Sequence, residues 1–422
     1  MTTYIEKSYG LLFGGALGDS LGLATEFLNR ETVRNFYGEK DFNYSEFYPD
    51  EFRKWWNAGD WTDDTNQMLI ILEILTSRDV DRMTDLDIQK LFAEKLKFWR
   101  FNGHPELGQT NGVGIGTGVR WVMNEKCFLE DPQKASRIVW KNTMKSLCED
   151  GCIMRTSLLG LIPNLDKGIK LTRIFCMTTH YHPKALACCI AIVAMVHSIV
   201  FQNYNDCDEI IEWGKDKALI EMRKHPHYNE KYEKSFLKYY KVQTLEDMKL
   251  DYGPYMSHVK KPFKCTLWAL RQTKNKSFKD LDLWKNIIFQ IIRMGGDADT
   301  NSCVAGSVLG CLLGYQQLPK QYIKELRNNE YLFKKCYYFI QSINKYPSVW
   351  NSKIEADKLY IVDINKYVLV KPLEFSRKEF RVSLGLGSSK LKKGDLIDWW
   401  GFGKMKNIDI LNRKNEYVLN FF

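Results

Sequence analysis

The chain reads as an all-α protein, a compact multi-helix bundle with a small strand-containing appendage at its C-terminal end. Three observations predict this. Apolar residues recur at helical spacing along most of the 422 residues, and strand-like alternation is nearly absent before residue 350. Proline is scarce, 11 in all, so few helix interiors are interrupted. Glycine recurs at every fourth position in two places, Gly14, Gly18, Gly22 and Gly306, Gly310, Gly314. That period lays small residues along one helix face, where a neighbouring backbone can approach closely. Glycine costs about 1 kcal/mol against alanine inside a helix, so a packing role is expected for all six.

The elements follow in order. LIILEIL (69–75) continues directly from WTDDT (61–65), and Leu91–Trp99 keeps an apolar stripe, so both predict helices. ALACCIAIVAMVHSIVF (185–201) is a 17-residue run broken only by His197 and Ser198. It lies at the lower limit for a membrane span. No second span follows, so a helix buried on all sides of a helical domain is expected, and no membrane. Ile287–Ile292 leads into MGGDADT (294–300), after which the second glycine row starts another helix. Beyond residue 350 the texture changes: LYIVDINKYVLV (359–370) is β-branched and extended, followed by glycine-rich and basic stretches. The expected division is 1–348 for the helical domain and 349–422 for an appendage whose basic residues read as a solvated face.

Composition bounds the function. The chain is 45% hydrophobic and 14% aromatic, which argues for a packed core and against disorder. Its net charge of +10 suits an anionic ligand. That charge is spread too evenly for the concentrated stripe of a nucleic-acid binder, and none is expected as partner. The 11 cysteines include no C-x-x-C pair; Cys188 and Cys189 lie in an apolar run and read as small buried hydrophobes. MTTYIEKSYG shows no secretory signal, so a reducing cytoplasmic setting is expected; the chain is also expected to be a monomer.

Two acidic clusters carry the chemistry. Thr62-Asp63-Asp64-Thr65 precedes a helix, where capping explains one or two of the four residues. In the second, Asp297 and Asp299 are followed by Thr300 and preceded by Gly295 and Gly296, which permit a turn. Adjacent carboxylates resist burial unless water or a cation meets them. Carboxylate and hydroxyl oxygens without cysteine suit hard cations, magnesium or manganese. Four carboxylates and two or three hydroxyls have room for two such ions if both clusters end at the same end of a bundle. The competing readings are helix capping and structural calcium. The alternate glycines Gly112, Gly114, Gly116 and Gly118 can aim backbone N–H groups at an anion such as a diphosphate, or form a flexible surface loop.

Five motifs in order resemble the ADP-ribosylglycohydrolase family, which contains dinitrogenase-reductase-activating glycohydrolase and the ADP-ribosylarginine hydrolases. They are GGALGDSLG (14–22) with Glu26 behind it, WTDDT (61–65), DGCIMR (150–155), THYHP (179–183) and GGDADT (295–300). The resemblance implies an all-α fold with a two-metal centre of Mg²⁺ or Mn²⁺, liganded by Thr62, Asp63, Asp64, Asp297, Asp299 and Thr300. It also implies proton transfer by one of Asp63, Asp64 or Glu26. The implied ADP-ribose contacts come from Gly112, Gly114, Gly116, Gly118, Gly151, Cys152, Met154 and His180. Cys152 and Ile153 stand where the family usually has small residues. THYHP and Trp213-Gly214 look closest to the ADP-ribosylarginine hydrolases, which implies cleavage of an N-glycosidic bond on an ADP-ribosylated protein. Hydrolysis of O-linked ADP-ribose and a non-catalytic ADP-ribose-binding module are the alternatives.

Overall fold

The computed structural model describes residues 3–344 and five strand segments beyond them, 360–363, 366–376, 379–384, 408–412 and 416–420. Among the described residues the α-helices are α1 Tyr4–Gly22, α2 Arg30–Tyr37, α3 Asp63–Ser77, α4 Asp85–Asn102, α5 Thr117–Met123, α6 Pro132–Asn142, α7 Leu165–Met177, α8 Pro183–Phe201, α9 Cys207–Arg223, α10 Glu230–Leu237, α11 Lys260–Gln272, α12 Leu283–Ile292, α13 Ala298–Leu313, α14 Lys320–Glu325 and α15 Asn329–Asn344. They are joined by short 3₁₀ turns, and the chain divides into two units, residues 1–343 and 344–422.

Within the first unit α1 and α13 form the spine, and the glycine rows explain why. A Cβ on Gly14 would lie 2.3 Å from the Gly306 carbonyl oxygen, and one on Gly310 would lie 2.1 Å from the Gly10 oxygen. The two rows therefore face each other, backbone against backbone. Gly314 departs from the expected pattern: it ends α13 with φ of 91° instead of packing in the row. The apolar helix α8 lies in the core, with 89% of its most apolar window buried by the rest of the chain. It packs on α7 and α9, where Gly214 admits the Met195 side chain.

Helix starts are set by side-chain caps. Thr84 and Asp87 form a reciprocal capping box on α4. His182 caps α8, its Nδ1 accepting from the Lys184 amide at 3.0 Å, with Pro183 at the first helical position. All 11 cysteines are unpaired and all but Cys127 are buried.

In the second unit, β1 Tyr360–Asp363, β2 Lys366–Ser376, β3 Glu379–Leu384, β4 Ile408–Asn412 and β5 Glu416–Asn420 make one antiparallel sheet in the order β1-β2-β3-β5-β4. The β2–β3 register shifts between Pro372 and Phe375, as a residue that cannot donate to the ladder favours.

Candidate functional site

Two helix N-termini meet at the site, those of α3 and α13. Thr62 is the N-cap of α3, so Asp63 and Asp64 fall in its first turn. Asp299 and Thr300 fall in the first turn of α13. Asp297 stands at the cap position of α13 but its side chain makes no capping bond, which leaves the carboxylate free for other work. Helix N-termini favour negative charge, and four carboxylates are concentrated on two of them.

The approach to α13 needs glycine. Gly295 and Gly296 have φ of 66° and 74°. A Cβ would lie 2.3 Å from the Leu28 oxygen at the first and 2.1 Å from the Leu250 oxygen at the second. The Gly296 carbonyl accepts from the Phe27 amide (2.6 Å), and the Gly296 amide donates to Leu28 O (2.8 Å). This pair of bonds fixes the segment after Glu26, with Phe27 in a left-handed conformation at φ 58°. Oxygens of Glu26, Asp297 and Asp299 lie within 4.8 Å of one another as a result.

The two clusters, 230-odd residues apart in sequence, share hydrogen bonds. Thr62 Oγ1 lies 3.4 Å from Asp64 Oδ2 and 3.3 Å from Asp299 Oδ2, and Thr300 Oγ1 lies 3.3 Å from Asp64 Oδ2. These are long for O–H···O bonds. Asp64 Oδ1, Asp299 Oδ1, Glu26 Oε2 and Asp150 Oδ2 are buried without a hydrogen-bond partner among the described residues. Burial, then neighbouring carboxylates, raise Glu26, Asp64, Asp299 and Asp150 well above the ordinary carboxylate range. Asp63 is pushed up to about 7, by burial first and then by Asp19 and Asp297. Such crowding of buried like charges calls for a counter-cation. An all-oxygen donor set of carboxylates and hydroxyls fits hard divalent ions.

Two residues outside the expected set hold the site. Asp19 on α1 accepts from the Thr62 amide (2.9 Å), the Thr65 amide (2.9 Å) and Thr65 Oγ1 (2.6 Å), and so anchors the start of α3. Gln67 donates from Nε2 to Asp63 Oδ2 at 2.7 Å. It stands one helical turn after Asp63, an i,i+4 spacing that sequence offers as a signal. Lys261 is buried beside the acidic group, donates to the Leu250 oxygen at 2.8 Å, and is lowered to about 8 by burial and Lys260 against the pull of Asp297.

The glycine loop borders this centre. Gly114 faces Asp63, since a Cβ there would lie 2.6 Å from Oδ1. Two of the four glycine amides are engaged: Gly112 donates to the Arg100 oxygen (3.1 Å) and Gly118 to Glu149 Oε2 (2.9 Å). Gly116 caps α5. Gly151 lies against the His180 ring, with 3.3 Å from a Cβ to Cε1. Cys152 and Ile153 have no exposed surface; the Cys152 thiol is grouped with those of Cys176 and Cys189 within 4.8 Å. Met154 is buried too, its carbonyl accepting from the Cys303 thiol at 3.8 Å. A separate cavity of about 870 Å³, lined by Arg30, Arg34, Asp251 and Arg293 among others, includes none of the clustered carboxylates.

Fold and site together define a helical unit whose buried acidic centre is built at paired helix N-termini. A profile of the ADP-ribosylglycohydrolase family matches residues 1–348, and the chain belongs to that family. It is 24% identical over 332 residues to the ADP-ribosylarginine hydrolase Tri1 of Serratia proteamaculans, covering 77% of this chain and 76% of that protein. It is 21% identical over 331 residues to the ADP-ribosyl-[dinitrogen reductase] glycohydrolase of Rhodospirillum rubrum, covering 76% and 90%. Among solved structures, an ADP-ribosylglycohydrolase-related protein complex aligns with a TM-score of 0.53 at 17% identity, over 81% of this chain and 99% of that one. That likeness supports the all-α fold.

Proposed function

We propose that the protein is a metal-dependent hydrolase that removes ADP-ribose from the arginine side chains of modified proteins. The observation that carries this is the group of buried carboxylate oxygens without a partner among the described residues, Asp64 Oδ1 on α3, Asp299 Oδ1 on α13 and Glu26 Oε2 beside them, in a chain that belongs to the ADP-ribosylglycohydrolase family. The names of the Serratia and Rhodospirillum relatives support the ADP-ribosyl linkage, and the first supports arginine.

Thr62, Asp63, Asp64, Asp297, Asp299 and Thr300 would hold two divalent cations, magnesium or manganese. When bound, these ions supply Lewis-acid polarisation of the ribose hydroxyls and of a water molecule. Asp63 keeps Oδ2 on Gln67 and presents Oδ1 towards Gly114, where it takes a proton from the attacking water. The bond between C1″ and the guanidine nitrogen breaks, the water oxygen joins C1″, and the proton that Asp63 took from the water is given up to the basic leaving guanidine, which restores the carboxylate. Gly114, Gly116, Gly151 and His180 line the approach for ADP-ribose.

The test incubates purified protein with arginine-linked and serine-linked ADP-ribosylated proteins, with Mg²⁺ or with chelator. Release of ADP-ribose is expected from arginine only, and only with metal. Asp297→Asn should lower it by more than the ~100-fold that loss of an outer partner can cause. Turnover untouched by chelator, or confined to serine, refutes the proposal.

A further inference from the structure

Arg155 lies in the DGCIMR segment but takes no part in the chemistry just described. It is fully buried, with its guanidinium 4.8 Å from the centre of the Phe92 ring. It donates from one terminal nitrogen to Gln67 Oε1 (2.5 Å), and from the other to Thr179 Oγ1 (2.6 Å) and the Phe175 oxygen (3.0 Å). A guanidinium only donates, and this resolves two orientations that side-chain positions alone leave open. Gln67 must turn Oε1 to Arg155, so it is Nε2 that faces Asp63 Oδ2. Thr179 Oγ1 accepts from Arg155 and keeps one proton to donate, and the acceptor that faces it among the described residues is His180 Nδ1, 2.8 Å away. An imidazole accepting at Nδ1 carries its proton on Nε2.

We propose that Arg155 is a positioning residue that sets the hydrogen-bond polarity of two walls of the site, acting through Gln67 on Asp63 and through Thr179 on His180. On the first wall Asp63 has Oδ2 held by Gln67 and Oδ1 turned towards Gly114. On the second, His180 becomes an Nε2–H donor beside Gly151, where a Cβ would lie 3.5 Å from Nε2. Its ring is also held neutral, lowered to about 3 by burial first and Arg155 second. A neutral donor there recognises an acceptor oxygen on the substrate. The functional part of this inference rests on the proposed hydrolase activity; the tautomer does not.

The full-length protein, labelled with ¹⁵N at histidine and assigned with His180→Gln, reports the tautomer directly by long-range ¹⁵N–¹H correlation. The Nε2–H form is expected in the wild type and in Gln67→Met. Loss of that single form is expected in Thr179→Val, which keeps the shape and removes the hydroxyl. An Nδ1–H ring in the wild type, or a tautomer indifferent to Thr179→Val, overturns the second arm. For the first arm, Gln67→Met should lower kcat and Mn²⁺ affinity by about 10–100-fold, as loss of an outer-shell partner does, with KM little changed. Thr179→Val should do the reverse, raising KM more than it lowers kcat. Arg155→Lys, a point charge in place of a fork, should combine both effects; if it does not fold, the two single-arm variants still decide. Equal losses of kcat and KM in both variants would reduce Arg155 to a packing role and overturn the proposal. A wild type that turns over no linkage refutes the hydrolase reading instead, and leaves the tautomer to be judged by its own spectrum.

Discussion

Asp64 is a residue whose burial is costly unless the proposed cations meet it. Its Oδ2 is approached by two threonine hydroxyls while Oδ1 is buried without a partner among the described residues. Burial and the charges of Asp19, Asp63 and Asp297 all oppose its ionisation. Asp64→Asn removes that charge and keeps the shape. In chelator the variant is expected to melt no lower than the wild type, because a repelled buried charge is gone. With Mg²⁺ or Mn²⁺ at 100 times its dissociation constant, the wild type should gain about 2.7 kcal/mol and the variant far less. Scanning calorimetry with and without chelator decides: equal gains would remove Asp64 from the metal site. At this scale WTDDT and GGDADT were legible, because acidic and hydroxyl residues cluster locally. Asp19 and Gln67 were not read as site residues. Asp19 binds Thr62 and Thr65 from 43 and 46 positions away, a contact only the packing of α1 on α3 creates. Gln67 acquires its role from Arg155, 88 positions on.

Elements were legible where one physical signal dominated. The apolar run of α8 and the glycine rows of α1 and α13 encode burial and close approach directly, and both appear as such. Gly314 was not, because the same period that continues a packing row also places a glycine where a helix ends. His182 shows a further limit: THYHP sets it two positions from His180, and nothing local in that motif marks it as the cap of α8 that it becomes. This has a pH consequence. Burial, then Lys184, lowers His182 to about 2. The unfolded chain takes up a proton below about 6.5, while the folded ring stays neutral. Stability from this group is therefore complete above pH 6.5 and is lost as pH falls towards the folded value. Between pH 7.5 and pH 5 the loss is up to about 2 kcal/mol. His182→Asn keeps a capping acceptor that does not titrate. Urea unfolding at both pH values should show the variant losing less by about that amount; an identical acid loss would show that His182 is not its source.

At the scale of the whole molecule, the sequence changes texture near residue 350, where helical periodicity gives way to β-branched runs, and the two units divide at residues 343 and 344. Periodicity cannot show how strands pair, since order and register depend on partners distant in sequence, and the β3–β5 neighbours are of that kind. The acidic centre and its supports run from Asp19 to Thr300, inside the unit of residues 1–343. The strands of the second unit pair with one another, and the family profile ends at residue 348. A chain ending at Ser348 keeps every carboxylate, hydroxyl and glycine invoked above, together with the α1–α13 spine. It is expected to unfold cooperatively, to gain the same stability from Mg²⁺ or Mn²⁺ as the full chain, and to release ADP-ribose from a small arginine conjugate at a similar kcat/KM. Calorimetry of both chains with and without metal, followed by the small-conjugate assay, makes the comparison. If metal stabilisation survives truncation while turnover of the small conjugate collapses, the catalytic unit does not end where the helices do. If only turnover of an intact modified protein falls, residues 349–422 serve recognition of the protein carrying the ADP-ribose, and the chemistry belongs to the helical unit alone.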